Sequence, residues 1–196
     1  VASASCRNDH FEFSGPFGLW ERHNAKPQFA VHPTRWFLTD KKKETFSKNI
    51  PVMNRFTVDA VFSTKDEKSF IILSADKTEF DWSAYKFAED QLPAILEKNL
   101  AEDRRLSLQK NPYIHQIKYT LYSDQIKNCD GNCPYVIGTI TAEKAGISLK
   151  CTYQGIVYRS IDGMFSIAYF ALVAGPDRHD ADMGEFQAIV GSFQTF

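Results

Sequence analysis

The chain has 196 residues, 43% of them apolar and 14% aromatic, with 23 Lys+Arg against 24 Asp+Glu. That length suits one domain with a substantial core, and the balanced charge offers no field to gather nucleic acid or an anionic membrane. No apolar run reaches the roughly 20 residues of a membrane-spanning helix, so neither nucleic-acid binding nor membrane insertion is expected.

At the start, Ala2-Ser3-Ala4 has the small-residue spacing that signal peptidase accepts. It reads either as the end of a removed export signal or as an ordinary polar terminus. Up to residue 53 the chain is punctuated by Pro16, Pro27, Pro33 and Pro51. This predicts an extended segment, with one or two short strands near Phe29 and Trp36, packed on a single domain of residues 54–196. Trp20, Arg22 and Trp36 have the composition of a protein-interface anchor. The competing reading is that the rings pin the segment onto a sheet.

Further along, "RFTVDAVF" alternates Phe56, Val58, Ala60 and Phe62 on one face, "STKDEK" turns, and "SFIILSA" is a buried strand, together a hairpin. Helical spacing follows over residues 82–103, with Asp81 as N-cap. Pro93 demands either a kink or a second helix that begins there. "YIHQIKYTLYSDQI", "YVIGTITAE", "ISLKCTYQGIVYRS" and "MFSIAYFALVA" are then four strands with connections too short for a parallel return. Centring the last turn on Asp162-Gly163 pairs Arg159 with Ser166 and Val157 with Ala168. "MFSIAYFALVA" is apolar on both faces, so both must be covered. The apolar stripe of Met183, Phe186, Ile189, Val190 and Phe193 supplies a terminal helix for one of them. The expected fold class is α+β, an antiparallel sheet with helices on both faces.

The cysteines are Cys6, Cys129, Cys133 and Cys151. Cys129 and Cys133 flank Asp130-Gly131, a strong turn signal, so a Cys129–Cys133 staple is expected, with Cys6–Cys151 by elimination. The spacing suits neither a zinc site nor a thioredoxin-like pair. Four unpaired thiols in a reducing compartment is the alternative.

The order of hairpin, long helix, antiparallel meander and a terminal helix ending "FQAIVGSFQTF" resembles the Mog1/PsbP-like superfamily over residues 54–196, through Ile189-Val190-Gly191-Ser192-Phe193. The resemblance implies a compact α/β/α domain and a binding or accessory role. Its members include small-GTPase binders, photosystem II docking proteins and exported bacterial proteins, some of them secretion-system substrates.

For chemistry, "GPDRHDADMGE" gathers Asp177, His179, Asp180, Asp182 and Glu185. Of these, Asp177, His179, Asp180 and Asp182 are candidate metal ligands, although the spacing fits no calcium loop or two-His helix motif. Capping and the helix dipole explain the same acids. Nucleophile elbows, Walker loops and dinucleotide fingerprints are absent from the sequence, and it calls for no catalytic residue and no cofactor. The reading is of an exported, disulfide-containing, monomeric, non-catalytic protein that binds a protein partner, such as a bacterial secreted effector. Two alternatives stand beside it: an exported hydrolase with a cleft formed by the N-terminal segment, and an intracellular small-GTPase-binding adaptor with reduced cysteines.

Overall fold

A computed structural model describes residues 3–7, 10–14, 27–32, 34–39, 42–43, 45–46, 56–76, 92–122, 132–159 and 165–195. The larger sheet is antiparallel and seven-stranded. It comprises β4 (Phe37–Leu38), β5 (Phe56–Ser63), β6 (Ser69–Asp76), β7 (Ile114–Leu121), β8 (Cys133–Lys144), β9 (Ile147–Arg159) and β10 (Phe165–Ala174), ordered β4-β5-β6-β10-β9-β8-β7. A smaller four-stranded sheet joins the two ends of the chain: β1 (Ser3–Arg7), β2 (His10–Ser14), β3 (Pro27–Ala30) and β11 (Gln194–Thr195), ordered β1-β2-β3-β11. Among the described residues the region before residue 53 contributes four strands, β1 to β4, where one or two were expected.

The hairpin β5–β6 and the meander β7–β10 form where the alternating patterns place them. Between β8 and β9, Lys144 pairs with Ile147 across Ala145 and Gly146, both at positive φ (52° and 77°). This is the twist-matched two-residue turn that favours glycine. Gly138 is needed for another reason: its cross-strand partner is Tyr153, whose ring occupies the space that a Cβ would take.

Two pairings differ from expectation. Arg159 pairs with Phe165 and Val157 with Ile167, one residue away from the predicted register. The connection therefore has five residues, 160–164, and an odd loop moves every partner by one position. In β5 a bulge lies between Val58 and Ala60. The extra residue reverses the alternation, so Val58 joins one core cluster while Ala60 and Phe62 join the other.

Along β10, Tyr169, Ala171 and Val173 belong to the first cluster, and Ala168, Phe170 and Leu172 to the second. Alternate residues point to opposite faces of a strand, so the sheet carries an apolar core on each face. Helix α1 (Leu92–Lys110) contributes Leu100 to the first. Pro93 sits in its first turn, where a missing N–H costs nothing. The expected N-cap Asp81 lies outside the described residues. Helix α2 (Pro176–Gly191) contributes Phe186, Ile189 and Val190 to the second, beside Phe29, Val31, Trp36 and Phe193.

Candidate functional site

Helix α2 begins after Gly175, which makes no side-chain capping bond, and Pro176 supplies its rigid entry. The expected acid cap is thus not formed, although Asp177 in the first turn still opposes the dipole. Within that helix the polar residues of "GPDRHDADMGE" separate into two groups.

One group centres on Asp182, whose side chain is 0% exposed. Its Oδ1 accepts from Arg35 Nη2, and its Oδ2 accepts from Ser69 Oγ at 2.6 Å and from Arg178 Nε at 3.2 Å. Three separate parts of the chain meet there: the β3–β4 connection, the start of β6 and the first turns of α2. Arg35 Nε also lies 3.0 Å from Glu185 Oε2, and Arg178 Nη1 reaches Asp66 Oδ2 at 3.4 Å. Both arginine side chains remain partly exposed, at 44% and 40%.

Arg35, Arg178 and Asp66 border an open groove of about 540 Å³, lined with them by Thr34, Thr64 and Lys65. The β5–β6 turn that forms one wall is tightly wired. Thr64 Oγ1 donates to Asp66 Oδ1 at 2.7 Å, Glu67 N donates to Thr64 O, Lys68 N to Asp66 Oδ1 and Ser69 N to Thr64 Oγ1. The Thr64 hydroxyl, more than the nearby cations, holds the Asp66 carboxyl below its ordinary value, so Asp66 stays ionised at neutral pH. Among the described residues Lys65 forms no ion pair.

The second group centres on His179, one turn earlier and 1% exposed. Thr152 Oγ1 lies 2.8 Å from His179 Nε2, and His179 Nδ1 lies 2.9 Å from Asp180 Oδ1. Lys150 Nζ donates to the same Asp180 oxygen at 2.7 Å. That hydrogen bond, followed by the one from His179, lowers the Asp180 carboxyl from its ordinary value. An ionised carboxylate only accepts, which places a ring proton on Nδ1, and in the neutral ring Nε2 then accepts from the Thr152 hydroxyl. Hydroxyl, imidazole and carboxylate thus stand in the order of a nucleophile triad. The hydroxyl, however, belongs to a residue only 3% exposed, under α2, so a substrate carbonyl has no approach to it.

The sequence-predicted residues are therefore only partly gathered. His179 meets Asp180, but Asp182 faces Arg35 and Arg178 and Asp177 is exposed, so the four candidate metal ligands do not converge on one point. Among the described residues no group of three or more His, Cys, Asp and Glu is placed to hold a metal ion. Trp36 is 2% exposed in the second core cluster, with Arg35 stacked 5.9 Å from its ring centre. It pins the segment instead of presenting a surface anchor. Trp20 and Arg22 lie outside the described residues.

Cys151 is a free, buried thiol, which corrects the expected Cys6–Cys151 link. It faces the first core cluster, and burial pushes its pKa up to about 12, too high for a reactive thiolate. Cys133 is disulfide-bonded; its expected partner Cys129 lies outside the described residues. Sequence reasoning missed Arg35, Ser69, Lys65, Asp66 and Thr152. The only available signal was the buried position that the α2 stripe assigns to Asp182, which demands a cationic partner without naming one.

No family profile matches the chain, and neither does any curated protein. A solved structure, the solution structure of cyanobacterial PsbP (CyanoP) from Synechocystis sp. PCC 6803, is similar over 98% of this chain and 98% of its own, at 13% identity and a TM-score of 0.42. Among the described residues no helix is long and apolar enough to cross a membrane.

Proposed function

We propose that this chain is a non-catalytic binding module, an exported accessory or effector protein that acts by docking a protein partner. The observation that carries the reading is the contrast on α2. Among the described residues the one constellation with a catalytic order is Thr152–His179–Asp180, and its hydroxyl and ring are buried with only the Asp180 carboxylate reaching solvent, whereas Arg35, Lys65 and Arg178 border an open groove. Cations held by a buried carboxylate recognise; without a nucleophile or a general base beside them they do not turn over a substrate.

The architecture proposed with it is an α/β/α sandwich, supported by α1 and α2 contributing to different core clusters. Export is supported by the bonded state of Cys133, since disulfides persist in oxidising compartments. Non-reducing peptide mapping tests that part: a Cys129–Cys133 link is expected, and freely alkylated Cys129 and Cys133 would move the intracellular adaptor to first place.

The hydrolase reading is favoured by one observation, the 2.8 Å and 2.9 Å spacings around His179. Turnover of a panel of chromogenic esters by the wild-type chain and by Thr152→Val separates the two readings. The binding reading predicts no turnover above buffer for either protein. Turnover that disappears in Thr152→Val would establish the hydrolase instead.

A further inference from the structure

We propose that the groove between the β5–β6 turn and the first turn of α2 binds an acidic peptide segment, its carboxylates held by Arg35, Lys65 and Arg178. This rests on the binding-module reading and specifies the partner's chemistry.

Both arginines are oriented before any ligand arrives. Asp182 is fully buried and takes one N–H from each guanidinium, while Glu185 faces a second N–H of Arg35 and Asp66 a second of Arg178, which fixes the planes and leaves three N–H groups on each side chain. A fork held in this way loses little rotamer freedom when a second carboxylate docks. Lys65 adds a cation at the lip that no acid of the described residues neutralises.

The groove suits spaced carboxylates better than a phosphate. Phosphate sites usually offer a run of free backbone N–H groups, and here Glu67 N, Lys68 N and Ser69 N are already donated within the turn. Asp66 stands ionised in the lining, and a doubly charged phosphate would meet more repulsion there than a single carboxylate does. The three cations come from three parts of the chain and edge an open depression of about 540 Å³, so that a segment carrying more than one acid can meet more than one of them.

The test is a titration of the isotope-labelled full chain with oligoglutamate, read at the backbone amides of Thr34, Arg35, Lys65, Asp66 and Arg178. The expected result is saturable shifts at these amides that weaken with added salt, with affinity roughly tenfold lower in Lys65→Glu, equivalent to about 1.4 kcal/mol. Lys65 is exposed in a turn, so the variant should keep the wild-type spectrum elsewhere. Absence of groove shifts, or shifts indifferent to Lys65→Glu, overturns the proposal. Inorganic phosphate binding the same amides as tightly as oligoglutamate overturns the peptide assignment. Thr152-dependent ester turnover would sink the non-catalytic reading while leaving the shifts in place, and missing shifts without turnover would sink the groove alone.

Discussion

Asp182 and His179 stand three residues apart on one helix, yet they are organised in opposite ways. Asp182 is a buried anion whose two guanidinium partners lie partly in water, so its network opens onto a surface. His179 is a buried ring between a covered threonine and an exposed aspartate tied to Lys150, so its hydroxyl end closes under the helix and only its carboxylate end meets water. The lesson is that a suggestive order of groups is not yet a site. Access decides which of two neighbouring polar clusters meets a ligand, and access is set by the strands beneath the helix.

The largest effect that sharpens this comparison is expected from Asp182→Ala. It would strip Arg35, Ser69 and Arg178 of their shared acceptor and leave the Arg35–Glu185 pair as the remaining ionic tie between the β3–β4 connection and α2. Breaking a buried pair costs about 3–5 kcal/mol. The exposed guanidiniums can rehydrate, which places this variant near the low end, and urea denaturation should show it. Thr152→Val comes next. It keeps the shape but leaves His179 Nε2 buried without its donor, at about 1–3 kcal/mol, with no loss of oligoglutamate binding.

The smallest effect is expected from Asp180→Asn, and it depends on pH. The folded carboxyl is lowered by Lys150 and His179, so its contribution is fully present above the unfolded carboxylate value of about 4. It disappears as the pH falls through the lowered folded value. Thermal midpoints of wild type and Asp180→Asn should therefore differ at neutral pH and converge in acid. A constant difference would show that Asp180 acts through packing.

Much of the fold was legible because period alone encodes it. The stripe of Phe186, Ile189 and Val190 and the two-sided apolar run of β10 each specify an element and its buried face. What remained hidden depends on a single residue or on distance along the chain. Asp59 reads as one more member of an alternating strand, and only pairing with β6 reveals the bulge that sends Val58 and Ala60 to different cores. The last hairpin slipped by one position because loop length, unlike turn composition, sets register. The site was less legible still. Asp182 and His179 were visible as a polar cluster, but Arg35 lies 147 positions from Asp182 and Ser69 lies 113. No local pattern announces such meetings. Trp36 suggested a surface anchor by composition, and its burial follows only from the strands that cover it.

The most direct test of the central contrast is to expose the full chain to a fluorophosphonate probe and measure intact mass, with peptide mapping of any adduct. A covered Thr152 predicts an unmodified mass. An adduct on Thr152 that is lost when His179 is changed to Ala would show that the closed cluster is a working nucleophile, and would contradict the account.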